Sequence, residues 1–225
     1  MSVSRYFLGD HGSLSGWIAY QTDDYSALIM NLLYPKQNEL ILDNGAGNGR
    51  FSIAMAENGA RVISLDINKR ILRSAAESLK QKRLNDRAEL ILGDIQNLPF
   101  KDDVFDRVLC VHNLWYVSDY KKAVDEMFRT LKNEGKVIAD HLNLFNRHVF
   151  SGGLIYAIVK IFRRNPTPLF LRTPQQILSP FTAFETEVFS LFLKPGRRLS
   201  AKRGTSLWAP RLIVRSSKSI RRVLR

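Results

Sequence analysis

Apolar residues along the chain fall in short blocks that alternate with segments of helical period. Leu40-Ile41-Leu42, Arg61 to Asp66, Ala88 to Leu92, Val104 to Val111 and Gly135 to Asp140 read as strands, short and rich in aliphatic side chains. Between them, residues 49–58, 69–83 and 120–132 read as helices. Asp119 is a fair N-cap for the last, whose core stripe is Ala123, Met127 and Leu131. Apolar strands separated by helices predict a parallel sheet with helices on both faces. Ahead of this alternation, residues 22–34 read as a helix with Ala27 or Leu28, Asn31 and Tyr34 at helical spacing, stopped by Pro35. Beyond residue 141 the pattern is less regular. Residues 149–162 are apolar and end in Arg163-Arg164, and residues 174–179 read as a short helix. Residues 184–193 and 206–215 read as two closing strands with a basic stretch between them.

Such sheets bind ligands outside the carboxyl ends of their strands, so the polar residues after each strand carry the chemistry. The first strand runs into Leu42-Asp43-Asn44-Gly45-Ala46-Gly47-Asn48-Gly49-Arg50. Its glycines let the backbone turn tightly and approach a ligand closely. The spacing is Gly-x-Gly-x-Gly. The dinucleotide register fails because Arg50 stands where its third glycine belongs, and no Gly-Lys-Ser/Thr follows to make a phosphate loop. Asp66 ends the second strand, 17 residues after Gly49, where a carboxylate can accept two hydrogen bonds from a ribose diol. Asp94 follows the third strand and can accept from an exocyclic amine, while Ile95 offers an apolar wall and a backbone N–H. Asp43 ends the first strand, near where an amino-acid moiety would lie; bracing of the loop is its other reading. A nucleoside joined to an amino acid, without phosphate, suits this set, and that is S-adenosylmethionine.

With these residues in order, the chain resembles the class I S-adenosylmethionine-dependent methyltransferases, in the small-molecule branch typified by the ubiquinone and menaquinone methylases. The resemblance covers about residues 38–141. It rests on the glycine loop, Ser64-Leu65-Asp66, Gly93-Asp94-Ile95 with Leu98-Pro99-Phe100, Phe105-Asp106-Arg107-Val108, and Leu131-Lys132-Asn133-Glu134-Gly135-Lys136 where the family usually has Leu-Lys-Pro-Gly-Gly. It implies an α/β Rossmann-like fold: a seven-stranded, mostly parallel sheet, its last strand antiparallel, with helices on both faces. It also implies methyl transfer that leaves S-adenosylhomocysteine. The cofactor set it implies is Asp43, Gly45, Ala46, Gly47, Asn48, Gly49, Asp66, Ile67, Asp94, Ile95, Val111 and His112. One methyltransferase domain is expected over 1–225, with an N-terminal helical cap (1–37), a cofactor-binding core (38–141), an apolar and basic lid insert (142–182), and closing strands with a basic tail (183–225).

Methyl transfer is an in-line displacement that gains most from alignment, and a general base is needed only where the nucleophile must lose a proton. The segment Cys110-Val111-His112-Asn113-Leu114-Trp115-Tyr116 should face the methyl group. The Asn/Asp-Pro-Pro-Tyr/Phe motif of amino-group methylases is absent from it. His112 reads as a base or as a polar wall of the cofactor site. His141 is the preferred base candidate, although a histidine at a strand end is often only hydrogen-bonded structure. Tyr20, Tyr25, Trp115, Tyr116 and Arg147 are candidates for the acceptor site, with simple packing as the other reading of the aromatics. Cys110 reads as buried and inert, and no histidine and carboxylate spacing indicates a metal.

Composition changes this picture mainly through charge. The 225 residues are 45% hydrophobic and 24% charged, an ordinary globular balance that excludes disorder as the main description. One cysteine excludes an intramolecular disulfide and a multi-cysteine zinc site. No signal peptide and no run of about 18–20 apolar residues is visible, so a cytoplasmic protein is expected. The net charge of +13 is lopsided: residues 1–140 hold 18 Lys+Arg against 19 Asp+Glu, and residues 141–225 hold 16 against 2. This reads either as a solvated basic face or as a surface for an anionic partner. Residues 149–163, with Arg163, Arg164 and Arg172, suit a lid lying in a membrane interface, at the inner face of the membrane, or one packed on the domain. The tail residues Arg211, Arg215, Lys218, Arg221, Arg222 and Arg225 would suit phosphates. The expected activity is methyl transfer to an O or C nucleophile of a small organic or lipid-linked acceptor. A tRNA or rRNA methylase and a noncatalytic cofactor-binding subunit are the alternatives, with a nicotinamide oxidoreductase behind them. Nucleic acid ranks below lipid as partner, and the pattern assigns no oligomeric state.

Overall fold

A computed structural model describes residues 23–145, 169–193, 199–205 and 211–218. Five strands, β1 (Leu40–Asn44), β2 (Arg61–Asp66), β3 (Ala88–Leu92), β4 (Phe105–Cys110) and β5 (Leu131–Leu142), run parallel. They are joined by β6 (Glu185–Leu193), β7 (Leu199–Arg203) and β8 (Arg211–Ser217) in one sheet of order β3-β2-β1-β4-β5-β8-β6-β7. β8 inserts between β5 and β6 and is antiparallel to both, and β7 runs antiparallel to β6 at the edge. The strand order reverses between β1 and β4, which opens a crevice at their carboxyl ends.

The sheet has eight strands where seven are expected. The extra one, β7, forms inside the basic stretch between the two closing strands, and Lys202 and Arg203 on it are exposed. Five residues ending in Lys202 and Arg203 are too short and too polar to stand out as a strand by pattern. The last strand is described over Arg211–Ser217, and residues 206–210 of its expected span lie outside the described residues.

The helices are α1 (Asp23–Leu33), α2 (Arg50–Glu57), α3 (Lys69–Gln81), α4 (Tyr120–Thr130) and the short α5 (Pro174–Leu178). Alternate strand residues feed two cores. Leu42, Val108, Val137 and Val214 pack with Ala123, Val124 and Met127 of α4 and with Phe181. Ile41, Val62, Leu109, Ile138 and Ile213 pack with Tyr25, Ile29 and Leu33 of α1 and Met55 of α2. Of the positions read at helical spacing, Leu28 is partly buried against this core, while Ala27 and Asn31 are exposed and Tyr34 lies outside the helix, exposed. Period alone marks several faces of a short helix, and here the sheet selects the one carrying the larger apolar side chains.

α4 ends at Thr130 and β5 begins at once, with a register shift between the pairs Phe105↔Leu131 and Arg107↔Lys136. At the amino ends of the strands, Arg107 is buried and pairs with Glu39 at 2.6 Å while donating to the Leu33 carbonyl at 2.7 Å. Asp106 accepts from the Leu40 N–H and from Lys132. These two residues tie strands together, far from the crevice.

Three charges expected in a phosphate-facing tail have carboxylate partners within the fold, one buried and two nearer the surface. Arg211 is fully buried against Asp140, Arg215 pairs with Glu187, and Lys218 pairs with Asp103 at 2.6 Å. Arg221, Arg222 and Arg225, the apolar segment 149–162 with Arg163 and Arg164, Tyr20 and Arg147 lie outside the described residues. No helix among the described residues is long and apolar enough to cross a membrane.

Candidate active site

The loop between β1 and α2 is strapped to the end of β2. The N–H groups of Gly45 and Ala46 both donate to the Leu65 carbonyl, at 2.8 and 2.9 Å, and the Gly47 N–H donates to Asp66 Oδ2 at 2.9 Å. Gly45 has φ +88°, and a Cβ there would lie 1.7 Å from Asn113 Nδ2 in the turn after β4. Gly47 has φ +56° and faces open space. The other Asp66 oxygen accepts from Asn68 N–H at 2.8 Å, and Asn68 in turn caps α3. Each carboxylate oxygen keeps a second acceptor direction. Ile67 is 71% exposed and Leu92 57% exposed, two large apolar side chains left uncovered at the carboxyl ends of β2 and β3.

After β3, Asp94 holds its own turn, accepting from the Gln96 backbone N–H at 2.9 Å and from the Gln96 side chain. The Ile95 side chain is buried in the core, so what it can present to a ligand is its backbone rather than an apolar wall. Val111 is likewise buried, with the α1 core.

Asp43 does not point where the sequence suggests. Its carboxylate is buried and accepts from the Ser52 hydroxyl at 2.5 Å, and Ser52 in turn accepts from Ser64 at 2.7 Å. It braces β1, β2 and α2 behind the glycine loop. Burial pushes its carboxyl up to about 6, opposed by the Ser52 hydrogen bond. The unfolded carboxyl titrates near its ordinary 3.8, so the folded protein binds this proton more tightly. The stability this adds is present below the unfolded value and is lost as pH rises through about 6. Asp43→Asn is expected to be more stable than wild type at pH 7.5, by roughly 2–3 kcal/mol. The gain should shrink toward zero at pH 4, as urea denaturation at the two pH values will show.

The turn after β4 forms the other wall. His112 has φ +62°, and its N–H donates to Asp140 Oδ1 at 2.7 Å. Its ring stacks on Tyr25 with centroids 4.9 Å apart. Burial and the positive charges of Arg211 and Arg50 push its pKa well below the ordinary histidine value, so the imidazole is neutral at pH 7. Trp115 is buried against Leu142, with Tyr116 partly buried beside it. The Tyr25 hydroxyl donates to Asp140 Oδ2 at 2.6 Å.

His141 is not open to an acceptor. It is buried, its Nδ1 lies 2.8 Å from the Leu142 carbonyl, and its Nε2 lies 3.2 Å from Arg172 Nη1. Burial lowers its pKa to about 3. With both ring nitrogens engaged, it serves as structure. Arg172, expected on a basic lid, instead folds back onto the turn. It donates to the Val117 carbonyl at 2.8 Å, with its guanidinium over the Tyr120 ring. Asp140 and Arg211 are the site neighbours that sequence reasoning missed. Their pairing depends on β8 lying beside β5, which no local pattern reveals.

The geometry has relatives. Residues 42–139 match the methyltransferase domain family. This segment is a class I S-adenosylmethionine-dependent methyltransferase domain. Over 104 residues the chain is 36% identical to a demethylmenaquinone methyltransferase of Clavibacter sepedonicus, covering 46% of this chain and 41% of that protein. Over 107 residues it is 34% identical to the ubiquinone/menaquinone biosynthesis C-methyltransferase UbiE of Pectobacterium carotovorum, covering 46% and 42%. The chain thus spans about two-fifths of the length of these curated relatives. The solved structure of the YcgJ protein of Bacillus subtilis shares the fold at TM-score 0.67 and 16% identity, covering 86% of this chain and 97% of that one.

S-adenosylmethionine is the cofactor this methyltransferase domain implies, and the residues present fit it. The loop at Gly47 leaves open space for close approach, Asp66 and Asp94 offer acceptors for hydroxyl and amine groups, and Ile67 and Leu92 offer uncovered apolar surface. Nothing in the glycine loop supplies the lysine that a phosphate loop would use.

Proposed function

We propose that the protein transfers a methyl group from S-adenosylmethionine to an O or C nucleophile of a small organic or lipid-like acceptor. The observation that carries this reading is the bond from Gly47 N–H to Asp66, which joins the glycine loop and the ribose-directed carboxylate into one unit at the mouth of the crevice. When bound, the cofactor supplies an electrophilic methyl carbon on a sulfonium. Asp66 accepts from the ribose hydroxyls and Asp94 from the exocyclic amine, which fixes the direction of approach. The turn from His112 to Tyr116, with Tyr25 stacked behind it, walls the acceptor side and keeps water from the reacting atoms. The relatives named for quinone methylation support an acceptor of that size and apolar character. The pairing of Arg211, Arg215 and Lys218 with carboxylates of the same chain takes support from an RNA acceptor.

The test is calorimetric titration of the purified protein with S-adenosylmethionine, S-adenosylhomocysteine and NADH. Micromolar binding of both sulfur compounds and none of NADH is expected. Labelled methyl transfer should then appear in a screen of quinol, phenol, lipid-extract and RNA acceptors. Folded protein that binds neither sulfur compound overturns the reading, and transfer to RNA alone overturns the acceptor class. Binding with no transfer to any acceptor would make the chain a noncatalytic subunit.

A further inference from the structure

The Asp140 carboxylate, fully buried near the end of β5, gathers groups from three distant parts of the chain. One oxygen accepts the His112 backbone N–H at 2.7 Å, and the other accepts the Tyr25 hydroxyl at 2.6 Å and lies 2.9 Å from Arg211 Nη1. The Arg211 guanidinium is also fully buried and lies 5.3 Å from the Tyr25 ring centre and 5.1 Å from that of Trp115. A buried ion pair seldom adds more stability than apolar residues of the same volume would. Stability alone therefore does not account for this cluster, and what it holds is a clue to its use.

It holds the turn that follows β4. His112 sits in the left-handed region at φ +62°, a conformation that costs a non-glycine residue about 1–2 kcal/mol. The charge-assisted bond from its N–H to Asp140 offsets that cost. The turn carries three buried polar atoms without a hydrogen-bond partner: Trp115 Nε1, Tyr116 Oη, and His112 Nε2, which lies 3.7 Å from Asp140 Oδ2, beyond hydrogen-bond distance. A buried polar atom left unpaired costs about 1–3 kcal/mol, so three within five residues mark a surface shaped for something that pairs with them. The same turn touches the glycine loop through Asn113, which places it beside the cofactor crevice. Aromatic rings surround it.

We propose that Asp140, together with Tyr25 and Arg211, is a positioning residue. It sets the turn after β4 so that His112 Nε2, Trp115 Nε1 and Tyr116 Oη hydrogen-bond an oxygen-bearing aromatic acceptor. The word acceptor rests on the methyltransferase reading; the positioning itself does not. Asp140 and Arg211 act through the turn, and only the three unpartnered atoms meet the ligand.

The experiment uses full-length protein labelled with ¹⁵N-histidine, with 4-nitrophenol and 1-naphthol as probes, in wild type, Asp140→Asn and Tyr25→Phe. Tyr25→Phe removes one hydroxyl and serves if Asp140→Asn does not fold. In wild type with S-adenosylhomocysteine, the probes should shift the His112 ring signals saturably. In either variant, probe affinity should fall at least tenfold and the His112 ring signals should move before any probe is added. Affinity for S-adenosylhomocysteine should change less than threefold. Probes that leave His112 unmoved in wild type overturn the proposal. So does equal probe affinity in the variants, or a loss of S-adenosylhomocysteine binding in step with the loss of probe binding. Wild type that fails to bind S-adenosylhomocysteine instead removes the methyltransferase reading, while the probe-free histidine spectra still decide whether Asp140 sets the turn.

Discussion

Replacing Asp66 by alanine is expected to weaken S-adenosylhomocysteine binding at least a hundredfold. The carboxylate stands at the end of β2 with one oxygen on Gly47 N–H and the other on Asn68 N–H. Those bonds hold it in one orientation and leave its remaining acceptor directions for a ribose diol. Hydrogen bonds to a charged group contribute about 1.5–3 kcal/mol each, so losing a pair costs roughly 3 kcal/mol, or about a hundredfold in affinity. The alanine also frees the Gly47 N–H and loosens the loop. Asp66→Asn keeps one oxygen acceptor and should bind at an intermediate level. Asp66 is only partly buried and ends its strand, so the variants should stay folded, which circular dichroism will verify. Calorimetry showing Asp66→Ala within threefold of wild type would remove Asp66 from the ribose site.

The second large effect is expected at Gly45. An alanine there must hold φ near +88°, and its Cβ must displace the Asn113 amide, 1.7 Å away. The first cost is about 1–2 kcal/mol, and the overlap adds about 1–3 more, because the loop and the turn after β4 are pushed apart. We expect Gly45→Ala to lose roughly 3–4 kcal/mol of stability and all measurable cofactor binding. Gly47→Ala is the internal control. Its Cβ would meet nothing within 4 Å, so only the φ of +56° opposes it and the loss should be about 1–2 kcal/mol. Urea denaturation of the pair decides the matter. Equal losses would mean that the Asn113 contact carries no weight.

The parallel strands were legible because a strand covered on both faces has no polar face to conceal it. Leu40-Ile41-Leu42 announces itself as an apolar run, and the structure buries β1 there; β3, an edge strand with Glu89 and Leu92 exposed, was legible only from its aliphatic residues. The glycine loop was legible for a similar reason: Gly45, Gly47 and Gly49 all have positive φ, which few other residues adopt without cost. Asp119 before α4 was legible as a cap, and its side chain does accept from Lys122 N–H. In each case the physical requirement is local, so the residue type records it.

Roles that depend on a distant partner were not recorded in this way. Asp43 and Asp66 both end strands and are the same residue type, yet one faces Ser52 in the interior and the other faces the crevice. Strand alternation and the position of α2 decide between them. His112 and His141 both stand at strand ends. The return of Arg172 engages His141, while a left-handed turn leaves His112 Nε2 without a hydrogen bond, 3.7 Å from Asp140. The charge of the last third of the chain reads as one basic surface, but the insertion of β8 between β5 and β6 buries Arg211 on Asp140 and brings Arg215 to Glu187. By itself, then, the sequence determined the α/β alternation, the glycine loop and the acidic residues after the strands, each governed by backbone conformation or local burial. Which of those polar groups face the crevice, and which pair inside, was decided only by the tertiary structure, because Coulomb and hydrogen-bond partners are chosen by distance in space rather than along the chain.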